Sequence, residues 1–300
     1  MLEALFQRFG FQMKVAQITR GPLRGQLCAT RSAGGLLLQL TTNQCLSCSG
    51  NRNQRWLAIA LKQTDNLEMH RLRGEPVQPC SVQGFNRNLT ESIWQVSPHS
   101  HLSLLVVPVQ RILDLIALDP SSKLQGVIDT SNVVTFQPRH FQTLKTFLLS
   151  DEIHEAPARD TLDALLVECF MQPDNISDAG IPLSSRAELT NDLLNYGFSN
   201  PSTAISLKDL SKTLLKSSSS ITKASREQFG VSPMQLLKQI RLQQVQRLLM
   251  DPEQQHELGT HSISAIAQRF GFTAPNHFAR DYRRMFWESQ RQTLKLTGAA

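Results

Sequence analysis

Three hundred residues, 40% hydrophobic and 19% charged, are enough for two domains with separate cores and fit a soluble globular chain. No apolar run is long enough to span a bilayer, the amphipathic start MLEALFQRFGF has no signal-peptide core, and five cysteines, an odd number, fit a reducing compartment, so a cytoplasmic protein is expected and membrane and secreted classes are excluded. The net charge of +6 is uneven: residues 206–300 hold 14 Lys and Arg against 7 Asp and Glu, while residues 1–205 hold 17 against 18, which implies a polyanionic partner for the C-terminal part alone.

Residues 14–107 read as short extended runs broken by turns. VAQIT, LLLQL, WLAIAL, IWQV and HLSLLVV are the clearest runs, and Gly21-Pro22, Gly34-Gly35, Gly50-Asn51, Gly74 with Pro76, and Gly84 separate them. Many short strands at this spacing predict a small sandwich or barrel. From Pro108 the period becomes helical. Val109, Ile112, Leu113, Ile116 and Ala117 make one stripe, and Phe141, Leu144, Phe147 and Leu148 a second. Leu162, Leu165, Leu166, Cys169 and Phe170 make a third, and Leu189, Leu193 and Leu194 a shorter fourth. SNPS at 199–202 marks a hinge. The expected division is a β-rich sensor over 1–107, a helical linker or oligomerisation region over 108–200, and a DNA-binding domain over 201–300.

The last third is organised around SISAIAQRFGFTAPNHFARDYRRMF, Ser262 to Phe286. Ile263, Ile266, Ala267 and Phe270 define one face of a short helix, which Gly271 can end in the left-handed conformation. Thr273 is placed to cap the next helix, whose apolar face is Phe278, Tyr282, Met285 and Phe286. Asn276, His277, Arg280, Arg283 and Arg284 lie between those positions. Two short helices joined by a tight turn, the second basic on its free face, form a helix-turn-helix, which sets its second helix in the DNA major groove.

A second copy precedes it. Ser206, Leu207, Leu210 and Leu214 repeat Ser262, Ile263, Ile266 and Phe270 at an offset of 56 residues. Past the turn the offset is 57, matching Lys223, Arg226, Phe229 and Ser232 to Arg280, Arg283, Phe286 and Ser289. Between the copies, SPMQLLKQIRLQQVQRLL predicts a linker helix capped by Ser232, with Pro233 at its first position and Gln235 completing a capping box. Leu237, Ile240, Val245, Leu248 and Leu249 give it an apolar face.

On these residues the chain resembles the AraC/XylS family of transcriptional regulators. The SLKDL and SISAIA openings, FGVSPMQLLKQIRLQQVQRLL, and GF followed by HFARDYRRMF carry the resemblance over 206–294. The tail, HFARDYRRMF with QTLKL, is nearest the branch of the ethanolamine-operon regulator. The first copy departs from the family at Leu215 and Lys216, where Gly and an apolar residue are usual, and at Ala224 and Ser225. Trp287 replaces a common Gly, and MDPEQQHELGTH lengthens the link. The resemblance implies an α+β chain, with a cupin-like barrel or sandwich sensor and helices ahead of an all-α double helix-turn-helix. It assigns base reading to Ser219, Ser220, Thr222 and Lys223 in the first copy and to Asn276, His277 and Arg280 in the second. Arg226, Arg283 and Arg284 meet the DNA beside them. Promoter DNA is the expected partner, with a small-molecule effector, RNA polymerase and a second copy of the chain admitted beside it.

Other chemistry is weaker. His99-Ser100-His101 has the H-x-H spacing that opens a metal site in cupin enzymes, but Leu105 and Val106 stand where the carboxylate should follow. A turn into the HLSLLVV strand accounts for it. Cys45 and Cys48 have zinc spacing, and Cys28 or Cys80 could complete a set, as in DNA-repair alkyltransferases that carry a similar reader. Pro79-Cys80-Ser81-Val82 lacks the His that would activate the thiol. No P-loop, G-x-S-x-G or H-E-x-x-H pattern occurs, so neither an enzyme nor a cofactor or metal is expected. The two alternatives to a sequence-specific regulator are that alkyltransferase and a non-specific architectural DNA binder.

Overall fold

A computed structural model describes residues 2–8, 11–118, 124–155, 157–171, 173–177, 183–202, 205–260 and 262–295. Leu296, which ends the QTLKL tail, and His261, which ends the inserted MDPEQQHELGTH, lie outside them. The chain opens with a short helix α1 (Leu2–Arg8). Ten strands follow: β1 (Met13–Gln17), β2 (Gly25–Ser32), β3 (Gly35–Thr42), β4 (Leu46–Asn51), β5 (Trp56–Lys62), β6 (Arg71–Leu72), β7 (Glu75–Pro76), β8 (Ser81–Gln83), β9 (Glu91–Val96) and β10 (Ser100–Pro108). Next come α2 (Val109–Leu118), α3 (Leu124–Thr130), β11 (Val133–Phe136), α4 (Pro138–Phe147), α5 (Ala158–Met171), β12 (Pro173–Ser177) and α6 (Ser185–Ser199). The C-terminal part is helical: α7 (Leu207–Thr213), α8 (Ser218–Phe229), α9 (Pro233–Leu249), α10 (Pro252–Glu257), α11 (Ile263–Arg269), α12 (Pro275–Phe286) and α13 (Gln290–Lys295).

The strands form two sheets, in the orders β1-β4-β9-β6-β7 and β12-β11-β8-β5-β10-β3-β2. The expected β-rich sandwich is present; four of the runs read from the sequence fall within β3, β5, β9 and β10, and VAQIT begins in β1 and runs two residues past its end at Gln17. The sheet also extends past the change of period at Pro108. β11 pairs with β8 and β12 with β11, so two strands from the helical stretch complete the seven-stranded sheet. The outer face of that sheet, with Leu37, Ile59, Leu61, Leu105 and Val107, packs on Ile112 of α2, Leu144 of α4, Leu148 just past its end, and Leu162 and Phe170 of α5 in one core. The first three helical stripes are therefore the cover of the sheet, and the period-2 alternation of β10 supplies apolar side chains to both of its faces.

His99 takes a left-handed conformation (φ 54°) and Ser100 begins β10, so the H-x-H sequence is a turn into a strand. His101 Nε2 lies 3.0 Å from Gln39 Oε1 on β3, and Leu105 and Val106 are buried. The four candidate zinc cysteines do not converge. Cys45 is buried against Leu189 and Leu236, Cys48 against Phe6 and Leu102 in a different core, Cys28 is exposed on β2, and Cys80 borders the core beneath the helices. Burial pushes the Cys45 thiol up to about 12, which leaves it unreactive at neutral pH. Among the described residues, no three His, Cys, Asp or Glu side chains are grouped to hold a metal, and no helix is long and apolar enough to cross a membrane.

Candidate DNA interface and the joint behind it

Both helix-turn-helix copies form as the spacing predicts. Ser206 Oγ accepts from the Asp209 amide and Ser262 Oγ from the Ala265 amide, so each first helix begins at the matched serine. Such a cap contributes about 1 kcal/mol. In the first copy, Leu210, Ile221, Ala224 and Phe229 are buried with Leu236, Leu237 and Ile240 from the N-terminal half of α9. In the second, Ile266, Ala267, Phe278, Tyr282, Met285 and Phe286 are buried with Leu242, Val245, Leu248 and Leu249 from its C-terminal half. One helix thus lies in two cores. The Ser232 hydroxyl caps it by accepting from the Gln235 amide, with Pro233 in its first turn.

The cap expected at Thr273 is not formed. Ala274 holds the N-cap position without a side-chain bond, and Pro275 starts α12 with φ preset for a helix and no N–H to satisfy. The departures of the first copy are accommodated. Leu215 takes the left-handed turn conformation (φ 53°) that Gly271 takes in the second copy (φ 76°), with its side chain 87% exposed. Ser225 is fully buried, and its hydroxyl donates to the Val231 carbonyl at 2.8 Å. Trp287 ends α12 in the left-handed conformation, and the inserted link folds as α10, capped by Asp251.

The polar side chains named from the sequence lie opposite the buried faces. Ser219, Ser220, Lys223 and Arg226 on α8 are exposed and Thr222 is half-buried; Asn276, His277, Arg280, Arg283 and Arg284 on α12 are all exposed. Ser219, Thr222, Lys223 and Arg226 line one shallow cleft, and Asn276, Arg280, Arg283 and Arg284 line another. Two hydroxyls of the first set are already engaged. Ser220 Oγ lies 2.8 Å from the capping Ser217 Oγ, and Thr222 Oγ1 donates to the Ser218 carbonyl at 2.7 Å. No hydrogen bond or ion pair within the protein ties the Arg280 guanidinium among the described residues. Tyr282 anchors α12 from the other side. Its hydroxyl lies 2.8 Å from Thr293 Oγ1, and burial pushes the phenol pKa up. Arg20, exposed on the loop after β1, lines a groove with Lys238, Asp281 and Arg284; the sequence gives no sign of this, because Arg20 comes from the other end of the chain.

The sandwich is joined to the readers along an open sheet edge. β1 has a strand neighbour, β4, on one side only, so alternate backbone groups face away from the sheet. Helix α9 occupies that side. Gln243 Oε1 accepts from the Gln17 amide at 2.7 Å, and Gln243 Nε2 donates to the Gln17 carbonyl at 2.8 Å. One turn along, Arg247 donates to the Val15 carbonyl and pairs at 2.9 Å with Glu3 of α1, which accepts from the Val15 amide. The Gly21 amide donates to the Met285 carbonyl at 2.7 Å, tying the next loop to the C-terminal end of α12. Helix α6 lies against α8 and α9, with Leu189, Leu193 and Leu194 in the first reader's core beside Ala16, Ile18 and Cys45. Between the two sheets lies a cavity of about 340 Å3, partly walled by Phe6 of α1.

A helix-turn-helix domain family matches residues 210–295. No curated protein matches the chain. Among solved structures, a probable AraC family transcriptional regulator from Rhodopseudomonas palustris CGA009 is 32% identical, covering 37% of this chain and 97% of that one, with a TM-score of 0.32. An AraC-type regulator from Chromobacterium violaceum is 19% identical over 37% of this chain and 92% of that one, with a TM-score of 0.33. ToxT from Vibrio cholerae is 12% identical over 95% and 98% of the two chains, with a TM-score of 0.32. The family match over both readers, and the 32% identity across nearly all of the first of these proteins, show that the chain belongs to the AraC family of transcriptional regulators and binds DNA.

Proposed function

We propose that the N-terminal sandwich receives a small-molecule signal and sets how the two readers meet a promoter. The observation that carries this reading is the joint. α9, which fixes both readers, holds the free edge of β1 through Gln243 and Arg247, so movement of that edge reaches both readers at once. α1 supplies Glu3 to the joint and Phe6 to the cavity wall, which gives occupancy of the cavity a short path to α9.

In this reading Lys223, Asn276, His277 and Arg280 contact base edges, with Ser219, Ser220 and Thr222 offering weaker discrimination. Asn pairs bidentately with adenine and Arg with guanine. Arg226, Arg283 and Arg284 neutralise phosphate and fix the register. The second reader carries more of the specificity, because two of the first reader's three hydroxyls already serve local backbone and cap bonds. A second copy of the chain and RNA polymerase complete the proposed partners, in the cytoplasm. The division at about residue 200 and the ethanolamine-operon branch belong to the same proposal.

The test is selection of bound duplexes from a random pool by the full chain, with and without cell extract. A single enriched motif of two half-sites, with an enrichment that extract changes, supports the reading. Equal retention of all sequences would replace it with an architectural role.

A further inference from the structure

The loop that leaves β1 is fastened on both sides of Arg20. Gln17 Nε2 donates to the carbonyls of Thr19 and Gly21, at 2.8 and 2.7 Å. The Thr19 hydroxyl donates to Gln44 Oε1 at 2.6 Å and accepts from the Cys45 amide at 2.8 Å. The Gly21 amide donates to the Met285 carbonyl at the end of α12. Arg20 stands between these two fixed residues. Its side chain is exposed, and no hydrogen bond or ion pair within the protein engages its guanidinium among the described residues. A cation presented by a fixed backbone loses less freedom on meeting an anion than one on a free loop.

The place where Arg20 is presented borders the second reader. It lines a groove between α9 and α12 with Gln235, Lys238, Asp281, Arg284 and Met285. At about 100° per residue, Arg284 lies about 40° round α12 from Arg280, and Asp281 and Met285 follow about 60° and 100° further on. The groove therefore opens beside the face that carries Asn276 and Arg280, on the side toward the linker helix. Asp281 is the one acid in its lining, and Lys238 already pairs with it at 3.1 Å. Arg20 and Arg284 remain, two guanidinium groups in one groove without a carboxylate of their own. Like charges held together repel, and a polyanion laid along the groove turns that cost into attraction.

We propose that Arg20 contacts the DNA backbone, so that the sandwich itself forms part of the DNA interface. Its guanidinium pairs with a phosphate near the one that Arg284 meets. The groove runs from α12 to the N-terminal half of α9, which lies in the first reader's core, so this phosphate sits between the two half-sites. A phosphate contact carries no base information; Arg20 adds affinity and fixes how the sandwich stands on the duplex. The proposal rests on DNA binding by the chain and needs no signal molecule. It is read on scrambled DNA as well as on a selected site, so its failure is distinct from failure of the promoter reading.

The experiment is fluorescence anisotropy of the full chain on duplex DNA across a salt series, for the parent, Arg20→Ala, Arg20→Lys and Arg24→Ala. Arg24 is exposed on the same connection but does not line the groove, so its substitution removes an equal charge elsewhere. Urea unfolding checks that each variant folds. Arg20→Ala should weaken selected and scrambled duplexes alike, about three- to tenfold near 0.1 M salt, and make the slope of log affinity against log salt shallower by about one. Arg20→Lys should keep the parent slope, and Arg24→Ala should match the parent. Uncharged methylphosphonates placed singly along the backbone between the half-sites should include one that weakens the parent and leaves Arg20→Ala unaffected. An unchanged slope in folded Arg20→Ala, an equal change in Arg24→Ala, a loss confined to the selected site, or no such methylphosphonate position would overturn the proposal.

Discussion

Replacing Gln243 with alanine isolates the joint. Gln17 is 4% exposed, and both of its outward backbone groups are satisfied by the one Gln243 amide. The substitution leaves a buried N–H and a buried C=O without partners, at about 1–3 kcal/mol each. Water entering the space left by the side chain recovers part of this, so a net loss of roughly 2–4 kcal/mol is expected, or about thirty- to a thousandfold in the closed population of that edge. Hydrogen exchange reads the Gln17 amide directly, and its protection should fall by that factor. Gln243→Glu should fall between, because a carboxylate still accepts from the Gln17 amide but cannot donate to its carbonyl. Arg247→Ala should spare the Gln17 amide, since Arg247 bonds the Val15 carbonyl and its Glu3 pair is partly exposed, contributing about 1 kcal/mol or less. Unchanged Gln17 protection in Gln243→Ala would refute the reasoning. Equal loss in Arg247→Ala would show that the edge opens as a whole rather than at one residue.

Affinity for the selected DNA should drop about a thousandfold between 50 and 200 mM salt if some six phosphates are neutralised, and a flat response measured by anisotropy would count against the assigned face. Arg280→Ala should cost about 1–3 kcal/mol on the selected site and much less on scrambled DNA, while Arg284→Ala should weaken both alike; equal losses on both DNAs for Arg280→Ala would make that residue a phosphate anchor. A fragment starting at Asn200 should bind DNA but be less stable to urea, by roughly 5 kcal/mol, than one starting at Leu183, because it lacks Leu189, Leu193 and Leu194 from the first reader's core; equal urea midpoints would show that α6 adds nothing to that core. Burial, with Lys62 adding to it, lowers the His70 pKa to about 3, so the unfolded chain binds the extra proton between pH 6.5 and 3. Stability from this residue is therefore complete above pH 6.5 and lost as pH falls through that window, and His70→Gln should show a shallower acid loss than the parent chain in chemical denaturation; parallel profiles would sink the assignment.

The readers were legible because their cores are local. Leu210 to Phe229 and Ile266 to Phe286 put apolar residues at helical spacing, and a repeat at an offset of 56 or 57 residues shows even without a partner sequence. The sandwich was legible only where strands are rich in Leu, Ile and Val. β4, LSCSGN, buries Ser47 and Ser49 and has no β-branched residue, while β2, GQLCATRS, is an edge strand with most of its residues exposed or half-exposed. β11 is four residues long and sits between helices, so its pairing with β8 depends on a chain reversal that no local pattern encodes. The joint was hidden for the same reason. Gln17 and Gln243 are 226 residues apart, and glutamine is an ordinary surface residue until an open strand edge is placed opposite it. Thr273 misled because Thr is a good N-cap residue, whereas Pro275 sets the start of α12 one residue later, at Ala274.

The linker helix has a consequence for the promoters this chain can use. α9 is 17 residues long, about 25 Å, and each half is locked into a different reader's core. The two recognition helices therefore keep a fixed separation and a fixed rotation, and neither can follow a displaced half-site without breaking a core. B-DNA turns once in about 10 base pairs, so five inserted between the half-sites put the second on the opposite face of the duplex. Ten inserted base pairs restore the face but move it about 34 Å further along, beyond a helix that cannot lengthen. A regulator built on a flexible tether would tolerate that full-turn insertion; this one should lose its second contact with either spacing, and helical phase alone will not rescue it.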